Sequence, residues 1–186
     1  MRVIAGTWRG RRLVAPGGSS TRPTADRVRE AVFSTLYSLA GEVDGKRVLD
    51  LYAGSGALGI EALSRGAAHA TFVDPDRRAL AALQQNLRVL GVPRSAARVL
   101  PMRAEALDAT ALGTGTVSLL FVDPPYRIDA LRVRQVLERL DGVFAPDAVV
   151  VYEHAADVVP SWPETFRVVG DRRYGGTVVS FARHEG

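Results

Sequence analysis

The 186-residue chain contains no cysteine. That absence excludes disulfide bridges, thiolate zinc sites and a cysteine nucleophile, and it makes a reducing compartment, the cytoplasm, the expected location. Histidine is scarce as well. His69, His154 and His184 share no metal-ligand or catalytic spacing, so they read as structural or surface residues and no metal is expected. No uninterrupted apolar stretch approaches the length of a membrane span, and arginines follow Met1 too soon to leave an apolar signal core. The expectation is a soluble monomer without a membrane partner. Lysine is almost missing too, which leaves arginine to carry nearly all of the positive charge.

That charge is unevenly placed. Residues 1–29 hold seven arginines against the single acid Asp26, a local net charge of +6, whereas the whole chain carries only +4. Clustered arginine is the footprint of a phosphate-backbone partner, with a merely solvated arm as the plain alternative. Arg9, Arg11, Arg12, Arg22, Arg27 and Arg29 are therefore candidate contacts to nucleic acid, although Arg27, Arg29 and Glu30 also have the spacing of a helix-surface ion-pair set.

Two β-prone runs, Arg2 to Ala5 and Arg11 to Ala15, flank Gly6 to Gly10 and predict a hairpin. After a Pro/Gly/Ser link, Thr24 reads as an N-cap, and Val28, Ala31, Val32, Leu36 and Leu39 have helical spacing up to Gly41. Residues 1–40 are thus expected to form a basic hairpin-and-helix appendage, and residues 41–186 the main domain. In the latter, strand-like runs at Arg47 to Leu51, Ala70 to Val73, Ala97 to Leu100, Val117 to Val122 and Ala148 to Tyr152 are separated by helical patterns. Those patterns span Ala57 to Arg65, Asp76 to Leu90 and Asp129 to Leu140. Such alternation predicts an α/β fold with a doubly wound, mostly parallel sheet. Phe166 to Val169 and Thr177 to Ala182 have no helix between them and are expected to pair antiparallel across Asp171 to Gly176.

Between the first core strand and its helix lies Asp50-Leu51-Tyr52-Ala53-Gly54-Ser55-Gly56-Ala57-Leu58-Gly59. Its glycines satisfy the G-x-G-x-x-G pattern, and Asp74 follows at the distance of a ribose-binding acid, so a dinucleotide is one candidate ligand. Asp50 argues against it, because an acid at the loop entrance would face the pyrophosphate. S-adenosylmethionine carries no phosphate, and its sulfonium and ammonium groups favour a neighbouring acid.

A second motif, Asp123-Pro124-Pro125-Tyr126, follows the apolar run Val117 to Val122. Proline fixes φ, lacks an N–H and holds the preceding residue extended, so the Asp123 side chain and the Pro124 carbonyl are expected to present two acceptors at a strand end. An aromatic ring at Tyr126 would stack a flat substrate beside them, which suits an exocyclic amino group on a nucleobase. A rigid turn without chemistry is the simpler reading of the same residues. Glu153, at the end of a neighbouring strand, could face the same site. Trp8 reads equally as a base-stacking tip or a hairpin anchor, and Asn86 as a source of local hydrogen bonds.

Together the glycine loop and the tetrapeptide resemble the Rossmann-like S-adenosylmethionine-dependent methyltransferases that act on exocyclic or amide nitrogens. More narrowly, Ile4 to Arg11, Arg22 to Phe33, Ala53 to Gly66 and Phe121 to Tyr126 resemble the RsmD family over nearly the whole chain. The resemblance implies a seven-stranded sheet with one antiparallel strand. It implies transfer of a methyl group to N2 of one guanine, position 966, in 16S ribosomal RNA. The 16S rRNA or the small ribosomal subunit would then be the partner, and the arginines above would be its contacts. By the same resemblance, Asp50, Gly54 and Gly56 line the methionine side of the cofactor, Asp74 its ribose and backbone at Ala104 its adenine, and Tyr52 also belongs to the cofactor site. Asp123, Pro124 and Tyr126 take the target base. An adenine-N6 nucleic-acid methyltransferase, a protein amide methyltransferase and a non-catalytic RNA-binding assembly factor are the competing readings.

Overall fold

The computed structural model describes residues 1–15, 23–125 and 128–186. Its elements run α1 (Pro23–Ala40), β1 (Arg47–Leu51), α2 (Ala57–Ser64), β2 (His69–Val73), α3 (Arg77–Leu90), β3 (Ala97–Leu100), β4 (Val117–Val122), α4 (Ala130–Arg139), β5 (Phe144–Ala155), β6 (Phe166–Tyr174) and β7 (Thr177–His184). The strands form one sheet in the order β3-β2-β1-β4-β5-β7-β6. Strands β1 to β5 pair in parallel, and β7 runs antiparallel to both of its neighbours, so it is the one reversed strand. The winding direction reverses between β1 and β4. In open α/β sheets a ligand binds at the carboxyl ends of the strands at such a switch point.

Helices cover both faces of the sheet, which is why its central strands read as continuous apolar runs. Val48, Phe72, Leu119, Phe121, Val151 and Phe181 pack with Val32, Phe33 and Leu36 of α1 and with residues of α2 and α3. The intervening positions, among them Leu49, Leu51, Val73, Leu120, Val122 and Tyr152, pack on the other side with Val133, Val136 and Leu137 of α4. Side-chain alternation along a strand thus assigns each residue to one core.

Helix starts refine the expectations from spacing. Asp76 and Asp129 are caps rather than first helical residues: the Asp76 carboxylate accepts from the N–H groups of Arg78 and Ala79, and Asp129 accepts from Leu131. Helix α1 begins at Pro23, one residue before the expected cap position Thr24, and proline's missing N–H costs nothing in a first turn. Strand β5 begins four residues before the expected Ala148. Its pairing with β4 jumps from Phe144 to Val149, across Pro146 and the left-handed Asp147 (φ 60°).

The expected N-terminal hairpin is reduced to a single antiparallel bridge between Arg2 and Arg12, flanked by Val3 N–H to Arg11 O (3.0 Å) and Leu13 N–H to Met1 O (3.0 Å). Tertiary contacts hold it in place. Val3 and Leu13 are buried in the core shared with α1. Glu61 of α2, wholly buried, accepts from the N–H groups of Ile4 (2.8 Å) and Ala5 (3.0 Å), and Ser64 Oγ accepts from Trp8 N–H and donates to Ala5 O. Trp8 is half-buried against that core, as an anchor would be.

Candidate active site

Four acids converge at the carboxyl ends of four adjacent strands. In β1, Leu49 and Leu51 face the α4 core, so Asp50 between them points to the opposite face. Val73, Val122 and Tyr152 likewise face the α4 side, which turns the next residues, Asp74, Asp123 and Glu153, toward the α1 and α2 side. Asp50, Asp123 and Glu153 line a lobe of about 520 Å³, together with Met1, Val28 and Val32 from the N-terminal elements and Tyr174 and Thr177 from the β6–β7 hairpin. An adjoining lobe of about 490 Å³ shares Tyr52, Asp123 and Glu153, and adds Asp74, Pro75, Pro124 and Pro125.

The glycine loop between β1 and α2 is held by the acids around it. Asp50 Oδ2 accepts the Gly59 N–H at 2.9 Å, while Asp74 Oδ2 accepts the Gly54 N–H at 2.8 Å and Asp74 Oδ1 the Asp76 N–H at 2.8 Å. Each Asp74 oxygen keeps a further lone pair for a ligand hydroxyl. Gly56 has a positive φ of 79°, and a Cβ there would stand 2.3 Å from Leu83 Cδ1, so the loop lies flush against α3. Tyr52 adopts φ 59° without being glycine, a conformation that costs on the order of 1 kcal/mol and concentrates at functional sites. Its hydroxyl donates to Glu105 Oε1 at 3.1 Å, and burial with the nearby carboxylate pushes the phenol pKa up, so it stays a donor. From behind, Asn86 Nδ2 donates to Ser55 O and to Val14 O, both at 3.0 Å. Asn86 is therefore a structural hydrogen-bonding residue, but a long-range one.

Electrostatics follow from crowding acids into one cleft. Burial raises the Asp50 carboxyl well above its ordinary value; the Gly59 N–H opposes this, and the charges of Asp123 and Asp74 reinforce it. The Asp123 side chain is exposed to solvent along the cleft, and partial desolvation by the protein packed around it, with Glu153 alongside, pushes its carboxyl up to about 7. Glu153 is raised by burial as well. A cleft of this kind attracts cationic or hydrogen-bond-donating ligands.

The structure sorts the remaining expected site residues. Ala104 is buried in the α4 core, and it is Glu105 beside it that reaches the cleft loop, through Tyr52. Arg9, Arg11, Arg12 and Arg27 are exposed, and Arg11 donates to Val89 O. Arg29 is corrected from a surface phosphate contact to a buried structural cation. It is 5% exposed, pairs with Asp26 at 2.9 Å, lies 3.7 Å from Glu61 and donates to Arg2 O. Tyr126 and Arg22 lie outside the described residues. Of the histidines, His154 bonds Ser180 Oγ (2.9 Å) and His184 bonds Asp141 (3.1 Å), both structural contacts. Met1, Val28, Tyr174 and Thr177 were not legible as cleft residues, since nothing local marks them; the fold brings them there.

A doubly wound sheet with a reversed seventh strand, a glycine loop after β1 and acids at the ends of β1 and β2 is the architecture of the Rossmann-like methyltransferases. An Escherichia coli protein described as a candidate methyltransferase, yhhF, superposes with a TM-score of 0.81 at 33% identity, over 100% of this chain and 98% of that one. The chain belongs to the family described as conserved hypothetical protein 95, which matches residues 1–183. It is 39% identical to a candidate rRNA methyltransferase of Bacillus subtilis, YlbH, over the full length of both chains. It is 40% identical to Ribosomal RNA small subunit methyltransferase D of Escherichia coli, over 82% of this chain and 74% of that protein.

Proposed function

We propose that this protein transfers a methyl group from S-adenosylmethionine to the exocyclic N2 of one guanine in 16S ribosomal RNA. The observation that carries the reading is the position of Asp123 and Pro124 at the end of β4, where both adjoin the lobe that holds Asp74. The residues fit the cofactor. Asp74 has lone pairs left for the two ribose hydroxyls, the Gly54 to Gly56 loop gives backbone access, and Asp50 with its neighbours supplies negative potential for the methionine end. A dinucleotide would bring its phosphates against the same acids. When bound, S-adenosylmethionine supplies a methyl carbon on a positively charged sulfur.

Guanine N2 is a poor nucleophile because its lone pair is delocalised into the ring. In this mechanism Asp123 and the Pro124 carbonyl accept its two N–H bonds, which favours a pyramidal nitrogen and fixes its direction of attack. Asp123 takes the proton displaced when N2 receives the methyl carbon that the cofactor would supply, the sulfur leaving as a neutral thioether. Tyr126 is assigned the stacking role on the extruded base. Arg9, Arg11, Arg12, Arg22 and Arg27 are assigned the phosphate contacts to the RNA.

The test combines purified protein and labelled cofactor with small ribosomal subunits from a strain lacking this gene, and maps the product by mass spectrometry. Label is expected on N2 of a single guanine of 16S rRNA. Label on adenine, on DNA or on protein would overturn the substrate.

A further inference from the structure

One acid of the cleft has no task in that mechanism. Strands β4 and β5 run parallel with Val122 opposite Tyr152, so the pair that follows, Asp123 and Glu153, projects side by side from strands roughly 4.8 Å apart. Both line both lobes. Among the described residues, no cation or N–H is paired with the Glu153 carboxylate, whereas Asp50 is tied to Gly59 and Asp74 to Gly54 and Asp76. Arg29, a side-chain cation on the same lobe, is already engaged by Asp26 and Glu61. A partly buried acid left without a donor is a costly arrangement unless a ligand brings one.

We infer that Glu153 selects guanine over other aminopurines by accepting the ring N1–H that adjoins the amino group held by Asp123. This rests on the methyl-transfer reading above. Guanine presents two adjacent donors on one edge, N1–H and the N2 amine, and two neighbouring carboxylates match them as acceptors. Adenine and 2-aminopurine carry an amine beside an unprotonated ring nitrogen. An ionised carboxylate has only acceptors, so in either base it would face a lone pair. Sites built to bind an N–H reject analogues without it far more strongly than hydrophobic pockets reject a missing methyl group. Glu153 thereby acts as a specificity residue that touches the base, and Asp123 remains the residue at the reacting nitrogen.

The probe is 16S rRNA carrying 2-aminopurine in place of the target guanine, reconstituted into small subunits and compared with the unmodified particle. The wild-type protein is expected to favour guanine by on the order of 10³-fold in kcat/KM. In Glu153→Gln the amide can donate to an unprotonated N1. The guanine rate is expected to fall and the preference to shrink at least tenfold, both measured at saturating cofactor. A wild-type protein that methylates both bases equally would overturn the inference without any variant. So would a Gln variant that slows both bases by the same factor. If the wild type methylates neither base, the methyl-transfer reading falls and takes this one with it; if guanine alone reacts and the ratio ignores residue 153, only the role of Glu153 falls.

Discussion

Asp123 sets how the site responds to pH. Its carboxyl is pushed up to about 7 by desolvation and by Glu153, so it is mostly protonated at pH 6 and mostly ionised at pH 8. Either form can accept an N–H, but only the ionised form can then take the proton. The single-turnover rate of methyl transfer is therefore expected to rise about tenfold from pH 6 to pH 8, with a midpoint that belongs to the Asp123–Glu153 pair. Rapid-quench measurements across that range check it, and a flat profile would remove Asp123 from the proton path. Asp74 and Asp123 were legible in the sequence because an acid directly after an apolar run marks the carboxyl end of a buried strand, and Asp50 because it stands at the entrance to the glycine loop. Arg29 was misread for the opposite reason. Its burial depends on Glu61, which approaches only through the packing of α2 against the N-terminal segment. Glu153 was visible as a strand-end acid, but its side-by-side placement with Asp123 needed the β4–β5 register.

At the level of elements, α2 carries the N-terminal segment. Gly59 to Ser64 are buried on every side of this helix, so its polar residues cannot be a solvated face. Glu61 instead satisfies Ile4 N–H, Ala5 N–H and Arg65 Nε, and counters Arg29. Removing it would leave two backbone donors and Arg65 Nε without their acceptor and strip the buried Arg29 of one of its two counter-charges. Glu61→Ala is accordingly expected to cost on the order of 3 kcal/mol in urea denaturation, and a loss below about 1 kcal/mol would show that water replaces the clamp. Strand and helix order was readable from the two periodicities, and the seven-stranded sheet follows from it. What periodicity did not reveal was the true start of β5, where Pro146 and Asp147 interrupt the pairing with β4, and the integration of residues 1–15. In the latter, hydrogen bonds with Glu61, Ser64 and Asn86 supplement the short ladder that remains of the hairpin.

At the scale of the whole molecule, exposed arginines occur on the N-terminal elements and elsewhere on the surface, whereas Asp50, Asp123 and Glu153 gather in the cleft that the N-terminal elements help to line. The gathered acids have a thermodynamic signature. With Asp123 raised to about 7 and Asp50 and Glu153 also raised, the folded state holds protons that the unfolded chain releases near pH 4. More protons bound to the folded state means that this contribution to stability is greatest at acid pH and declines as pH rises from about 4 to 7. A ligand that binds only the folded state adds stability by mass action, and a cationic one gains most where the acids are ionised. The melting temperature is therefore expected to rise more with S-adenosylmethionine than with S-adenosylhomocysteine, which lacks the sulfonium charge. That difference should be larger at pH 8 than at pH 5. A dinucleotide, with its phosphates set against Asp50, is expected to give no shift at pH 8. Differential scanning fluorimetry with the three ligands at the two pH values separates the cases. Equal shifts from the two sulfur ligands at pH 8 would mean that the cleft acids do not sense the sulfonium, and a dinucleotide shift would return the glycine loop to the ligand class its pattern first suggested.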